Sequence, residues 1–159
     1  MNRMPSRDAE PGSPRDGIGE VLEFMQQLWS LDHCLQKLSR TMRARFGITG
    51  PQRLVLRIVG TYPGISAGLV AEILRVHPST LTGVFKRLVR QGLIRRGLDD
   101  HDGRRAVLGL TAKGRKLASL RQGTVEEAVR EALARIPKRK VATTREVLAL
   151  LALSLQGLD

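Results

Sequence analysis

Apolar residues at Ile18, Leu22, Met25, Leu28, Trp29, Leu35, Leu38, Met42 and Phe46 recur at three- and four-residue steps, which predicts one long amphipathic helix. Gly47 ends it. Thr49, Gly50 and Pro51 form a helix start, and Leu54, Val55, Ile58 and Val59 give the second helix one apolar side. Tyr62-Pro63-Gly64 turns the chain, and Ser66 can cap a third helix with Leu69, Val70, Ile73 and Leu74 as its stripe. Arg75, Val76 and His77 break that helix. Pro78 then stands at the first position of a fourth, where its missing N–H costs nothing, and Gly92 offers the left-handed residue that stops it near Gln91. Two helices joined by so short a break form a helix-turn-helix pattern.

After Gly92 the periodicity becomes extended: Leu93 to Arg96, an Asp- and Gly-rich turn, then Val107, Leu108 and Leu110 predict a β-hairpin with a charged tip. Thr111 is a good N-cap for a fifth helix expected from Ala112 to about Arg135, and Pro137 separates it from a sixth that runs to the C-terminus. Val141, Val147, Leu148, Leu151, Leu155 and Leu158 in that last helix, flanked by Leu150 and Leu153, exceed what one buried stripe needs. The surplus predicts a subunit interface. Residues 1–17 are rich in Pro, Gly and balanced charge, without periodicity, and are expected to be a disordered arm. The expected division is the arm, a helix at 18–48, a helix-turn-helix and hairpin region at 49–117, and terminal helices at 118–159. The fold class is mainly α with one small β-hairpin.

Charge changes this picture. From Arg75 to Lys116 eleven Lys and Arg stand against three Asp, a net charge of +8 out of +12 for the whole chain. Clustered positive charge on a compact element suits a polyanion, because neutralised phosphates release condensed counterions. Double-stranded DNA is therefore the leading partner. Aromatic residues are only 3% of the chain, which argues against single-strand binding through stacked bases. No apolar run approaches the ~20 residues of a bilayer-spanning helix, and no signal-like stretch opens the chain, so no membrane association is expected. One cysteine, Cys34, forms no disulfide within the chain and suits a reducing, cytoplasmic setting.

The fourth helix separates two chemistries. Leu81, Val84, Phe85, Leu88 and Val89 share its apolar side, whereas Ser79, Thr80, Thr82, Gly83, Lys86, Arg87 and Arg90 lie opposite. The small residues are N-terminal, where a helix in a major groove comes closest to base edges. Their hydroxyls can meet bases or phosphates, Gly83 permits close approach, and the three cations reach the backbone. A solvated helix face is the bland reading, and the neighbouring capped helix and basic hairpin weigh against it. At the hairpin tip, Asp102 can orient Arg104 toward a narrow minor groove with Arg105 beside it, against the plainer reading of a solvated turn with a surface ion pair.

The stretch from Thr49 to Lys116 resembles the winged-helix core of the MarR family of bacterial transcription regulators. The matching residues are Gly50-Pro51-Gln52, His77-Pro78-Ser79-Thr80-Leu81-Thr82, Arg87-Leu88, Gly92-Leu93-Ile94, Asp99, Asp102-Gly103-Arg104, and Leu110-Thr111 with Lys113-Gly114. The resemblance implies a homodimer with interlaced terminal helices, two recognition helices in successive major grooves, and a pseudo-palindromic operator with half-sites about one helical turn apart. It also implies a repressor more often than an activator, and a small-molecule effector in a cleft between the dimerisation and DNA-binding parts. Three positions depart from the usual family residues: His101 stands where Arg is frequent, His77 where Asp or Asn caps better, and Gly83 where a longer side chain is common.

Cys34 invites comparison with the family's peroxide-sensing branch, but that thiol lies nearer the place held here by Met25. Packing among Leu31, Leu35 and Leu38 is the expected role of Cys34, and core packing is likewise expected for Trp29. His33, His77 and His101 are dispersed without metal-ligand spacing, so neither a metal nor another cofactor is implied. No nucleophile with a base, paired carboxylates or phosphate-cradling loop suggests an enzyme. The alternatives are a sequence-independent architectural DNA-binding protein, which would not need Ser79 to Gly83, and a protein-interaction module, which leaves the basic hairpin unexplained.

Overall fold

The computed structural model describes residues 19–98 and 106–157. Its elements in chain order are α1 (Glu20–Phe46), α2 (Gly50–Thr61), α3 (Ala67–Leu74), α4 (Pro78–Arg90), β1 (Ile94–Leu98), β2 (Ala106–Leu110), α5 (Ala112–Ala118), α6 (Val125–Ala134) and α7 (Lys138–Gln156). The chain divides into two compact units between Gln36 and Lys37, inside α1. In the first unit Val21, Leu22, Met25, Trp29 and Leu31 are exposed, Trp29 by 72%. Core packing of Trp29 is therefore not realised, and Cys34 is exposed as well rather than buried. Among the described residues this unit is a single stretch of helix, and its apolar side rests on nothing else in the unit.

The second unit holds the core: Met42, Ile48, Val55, Leu56, Val59, Val70, Leu81, Phe85, Leu88, Leu93, Ile94 and Leu108 pack together. α2 begins with a reciprocal cap, in which the Thr49 hydroxyl accepts from Gln52 N–H and the Gln52 amide oxygen accepts from Thr49 N–H at 2.9 Å. Gly50 N–H also donates to Ser39 Oγ at 2.9 Å, which ties the end of α1 to the start of α2. β1 and β2 pair antiparallel from Ile94 with Leu110 to Leu98 with Ala106, and Ile65 bridges to Leu108 as a third short edge.

Two expectations change. In α3 the buried residues are Val70 and Ala71, whereas Leu69 and Ile73 are exposed, so the stripe is rotated by one position toward the small residue that lets α4 approach. The expected fifth helix is two helices. Gly123 adopts φ +68°, Thr124 accepts from Glu127 N–H at 3.2 Å, and the Glu127 carboxylate accepts from Gly123 N–H at 2.6 Å. Thr124-Val125-Glu126-Glu127 is a capping-box sequence, and it overrides an apolar period that runs straight across it. Among the described residues no helix is long and apolar enough to cross a membrane.

Candidate nucleic-acid interface

Ser66 caps α3 by accepting from Leu69 N–H, and Arg75 ends it in the left-handed conformation at φ 53°. The chain then turns through Val76 and His77 into Pro78. Leu81, Phe85 and Leu88 anchor α4 in the core, with Val84 half-buried, while Val89 is exposed instead of packed. This anchoring turns the opposite side outward. Ser79, Thr80, Thr82, Gly83, Lys86, Arg87 and Arg90 are all exposed on one helix, in the arrangement expected from their spacing. A methyl group added at Gly83 would meet no atom within 4 Å, so the surface there is open to a close-lying partner.

The C-terminal end of α4 is locked to α5. Thr111 Oγ1 donates to Gly92 O at 2.7 Å, Lys113 Nζ donates to Gln91 O at 3.1 Å, and Thr111 N–H donates to Leu93 O. A Cβ at Gly114 would fall 1.9 Å from Leu93 O, so only glycine fits where α5 crosses the start of β1. Thr111, Lys113 and Gly114 thus hold the hairpin at a fixed angle to α4. Lys113 and Arg115 are exposed and also satisfy backbone carbonyls, Arg115 donating to Leu110 O at 3.0 Å. Arg95 and Arg96 on β1 are exposed and extend the basic surface. Asp102, Arg104 and Arg105 lie outside the described residues, as does the arm at 1–17.

A second polar arrangement escaped the sequence reading. Arg53 on α2 is 3% exposed. Its Nε donates to Glu126 Oε2 at 2.6 Å, and its two terminal nitrogens donate to Leu120 O and to Leu117 O, which has only a long backbone bond from Leu120 N–H at 3.4 Å where α5 ends. Arg57 pairs with the other Glu126 oxygen at 3.3 Å. The available signal was the position of Arg53, three residues before the buried Leu56 and so on the same side of α2. A polar cleft of about 480 Å³ adjoins this clamp, lined by Arg53, Arg57, Arg121, Glu126 and Arg130 among others.

A helix-turn-helix whose second helix is followed by a two-stranded wing defines a winged helix-turn-helix protein. The sequence pattern described as MarR family matches residues 46–105. The transcriptional regulator HosA of Escherichia coli is 33% identical over 90 residues, covering 54% of this chain and 67% of HosA. The chain belongs to the MarR family. TtmR of Methylorubrum extorquens, an HTH-type transcriptional regulator, is also 33% identical over 90 residues, covering 57% of this chain, but the match spans only 46% of TtmR. The structure of S. aureus MepR, determined as a DNA complex, shares the fold with a TM-score of 0.66 at 23% identity, over 84% of this chain and 97% of that one. The named relatives are regulators rather than enzymes.

Proposed function

We propose that this protein is a sequence-specific regulator of transcription that binds double-stranded DNA as a homodimer, and that it is a repressor released by a small-molecule or stress signal. The observation that carries the reading is α4: a helix anchored by Leu81, Phe85 and Leu88 that presents small hydroxylated residues at its exposed N-terminal end and cations along the rest. A buried apolar anchor behind a polar outward face is what places a recognition helix in a major groove. Residues 49–117 are the DNA-binding region in this reading, and residues 18–48 and 118–159 dimerise. Support for the dimer comes from leucines left uncovered among the described residues, Leu150, Leu153 and Leu155 each being more than 60% exposed. The polar cleft beside Arg53 has room for a small anionic effector, which would compete for the Glu126 clamp between α2 and α6.

The test is binding of the purified protein to labelled DNA from its own promoter region and to a shuffled duplex across a salt series. Site-specific regulation predicts a steep salt slope and a preference of about a thousandfold or more. Equal affinity for both duplexes supports the architectural alternative instead. Arg104→Ala is expected to weaken operator binding by about tenfold or more if the wing reads the minor groove.

A further inference from the structure

Ser79 is the second residue of α4, and its surroundings restrict what its hydroxyl can say to DNA. Ser79 Oγ lies 2.7 Å from His77 Nδ1, and Ser79 N–H donates to that same nitrogen at 3.3 Å. A backbone amide only donates, so Nδ1 carries a lone pair and the ring proton sits on Nε2. The bond between Oγ and Nδ1 is then donated by the hydroxyl. With its proton committed to His77, the outward side of Ser79 Oγ offers lone pairs alone. Thr82 is in the same condition, because its Oγ1 donates to Pro78 O at 3.3 Å.

A hydroxyl that can only accept has no bond to make with a phosphate, whose oxygens also only accept. In the major groove the base groups that donate are the N6 amine of adenine and the N4 amine of cytosine. We infer that His77 is a positioning residue that fixes Ser79 as an acceptor-only reader, selecting an amino-bearing base, adenine or cytosine, at one position of each half-site. This rests on the DNA-binding role proposed above.

The test is selection from a random-sequence duplex library with the full chain and with Ser79→Ala, His77→Ala and His77→Asn. The wild type is expected to prefer adenine or cytosine at one position by about tenfold. Ser79→Ala and His77→Ala flatten that position and leave the others unchanged. His77→Asn, whose amide oxygen accepts from Ser79 as the imidazole nitrogen does, keeps the preference. If His77→Ala does not fold, Ser79→Ala and His77→Asn carry the test. Unchanged preferences in the variants, or a loss spread evenly over every position, overturn the inference, the second because it is what a merely structural cap would produce. A wild type that enriches no sequence overturns the DNA-reading role itself.

Discussion

α4 and α7 both look amphipathic in sequence, and the chain treats them oppositely. α4 has one stripe, and Leu81, Phe85 and Leu88 are buried against α2, α3 and the hairpin. α7 has more apolar residues and none is fully buried, with Val141, Ala149 and Leu151 only half-covered. An apolar face shows that burial is required and does not show by what. For α4 the cover is local in sequence: its partners lie within the stretch from Ile48 to Leu108. For α7 the described chain supplies partial cover, and near its C-terminal end Gln156 Nε2 donates to Arg75 O at 3.3 Å in the α3–α4 turn. The winged-helix region therefore buries its own apolar side, while the leucines of α7 stay exposed among the described residues.

The largest expected effect lies inside the core. Leu56 is 0% exposed, and Leu56→Ala should lower the unfolding free energy by about 3 kcal/mol, through lost transfer energy and the cavity left behind. Chemical denaturation at two protein concentrations checks this, and the loss should be the same at both if the region is self-sufficient. A loss that shrinks at the higher concentration would show that this core leans on the dimer.

Arg53 comes next. Arg53→Ala leaves Leu120 O without its donor, Leu117 O with only the long bond from Leu120 N–H at 3.4 Å, and one Glu126 oxygen unpaired, and the expected loss is about 2 kcal/mol. It is smaller than for Leu56 because Arg57 still holds Glu126, whose side chain is 31% exposed and can be hydrated. Glu126→Gln should cost less again, since the amide oxygen can still accept from Arg53. Hydrogen exchange would localise the effect: faster exchange at the start of α6 with α4 unaltered places the clamp between the two regions, whereas loosening of α4 would make it part of the reading head. Below these stands Thr49→Ala, which removes the cap of α2 at about 1 kcal/mol by thermal melting, with the Gln52 side chain losing its reciprocal role.

These ranks also mark how far the sequence was legible. The helix-turn-helix, the hairpin, Thr49, Ser66 and Thr111 as caps, and the outward side of α4 follow from local rules of period and capping, which act within a few residues. The α5–α6 break was legible too, in Thr124 and Glu127, but the apolar period concealed it. Arg53 was not legible as a clamp, because its partners are more than sixty residues away and the need for it arises from carbonyls exposed only when α5 ends early. The role of Gly114 likewise depends on a crossing with Leu93 that no spacing announces. His77 looked like a poor cap in place of Asp or Asn; only the geometry of Ser79 shows that the imidazole caps its N–H and takes up its hydroxyl proton with the same nitrogen.

The smallest effect on the chain's own fold decides the comparison. Leu150 and Leu153 are 66% and 65% exposed, so Leu150→Ser with Leu153→Ser should change single-chain stability by no more than about 0.5 kcal/mol each. If these leucines meet a second copy, the wild-type Tm rises with protein concentration, since association stabilises the folded state by mass action. In the double variant that dependence should vanish, and sedimentation should show one chain where the wild type shows two. Operator affinity should fall with it, because two half-sites are then no longer held on one particle. A loss of stability comparable to that of Leu56→Ala, at high dilution, would break the contrast and mean that α7 is already packed within its own chain. An unchanged sedimentation coefficient with unchanged stability would instead move the dimer contact away from α7, to the exposed side of α1 where Trp29 and Leu31 stand.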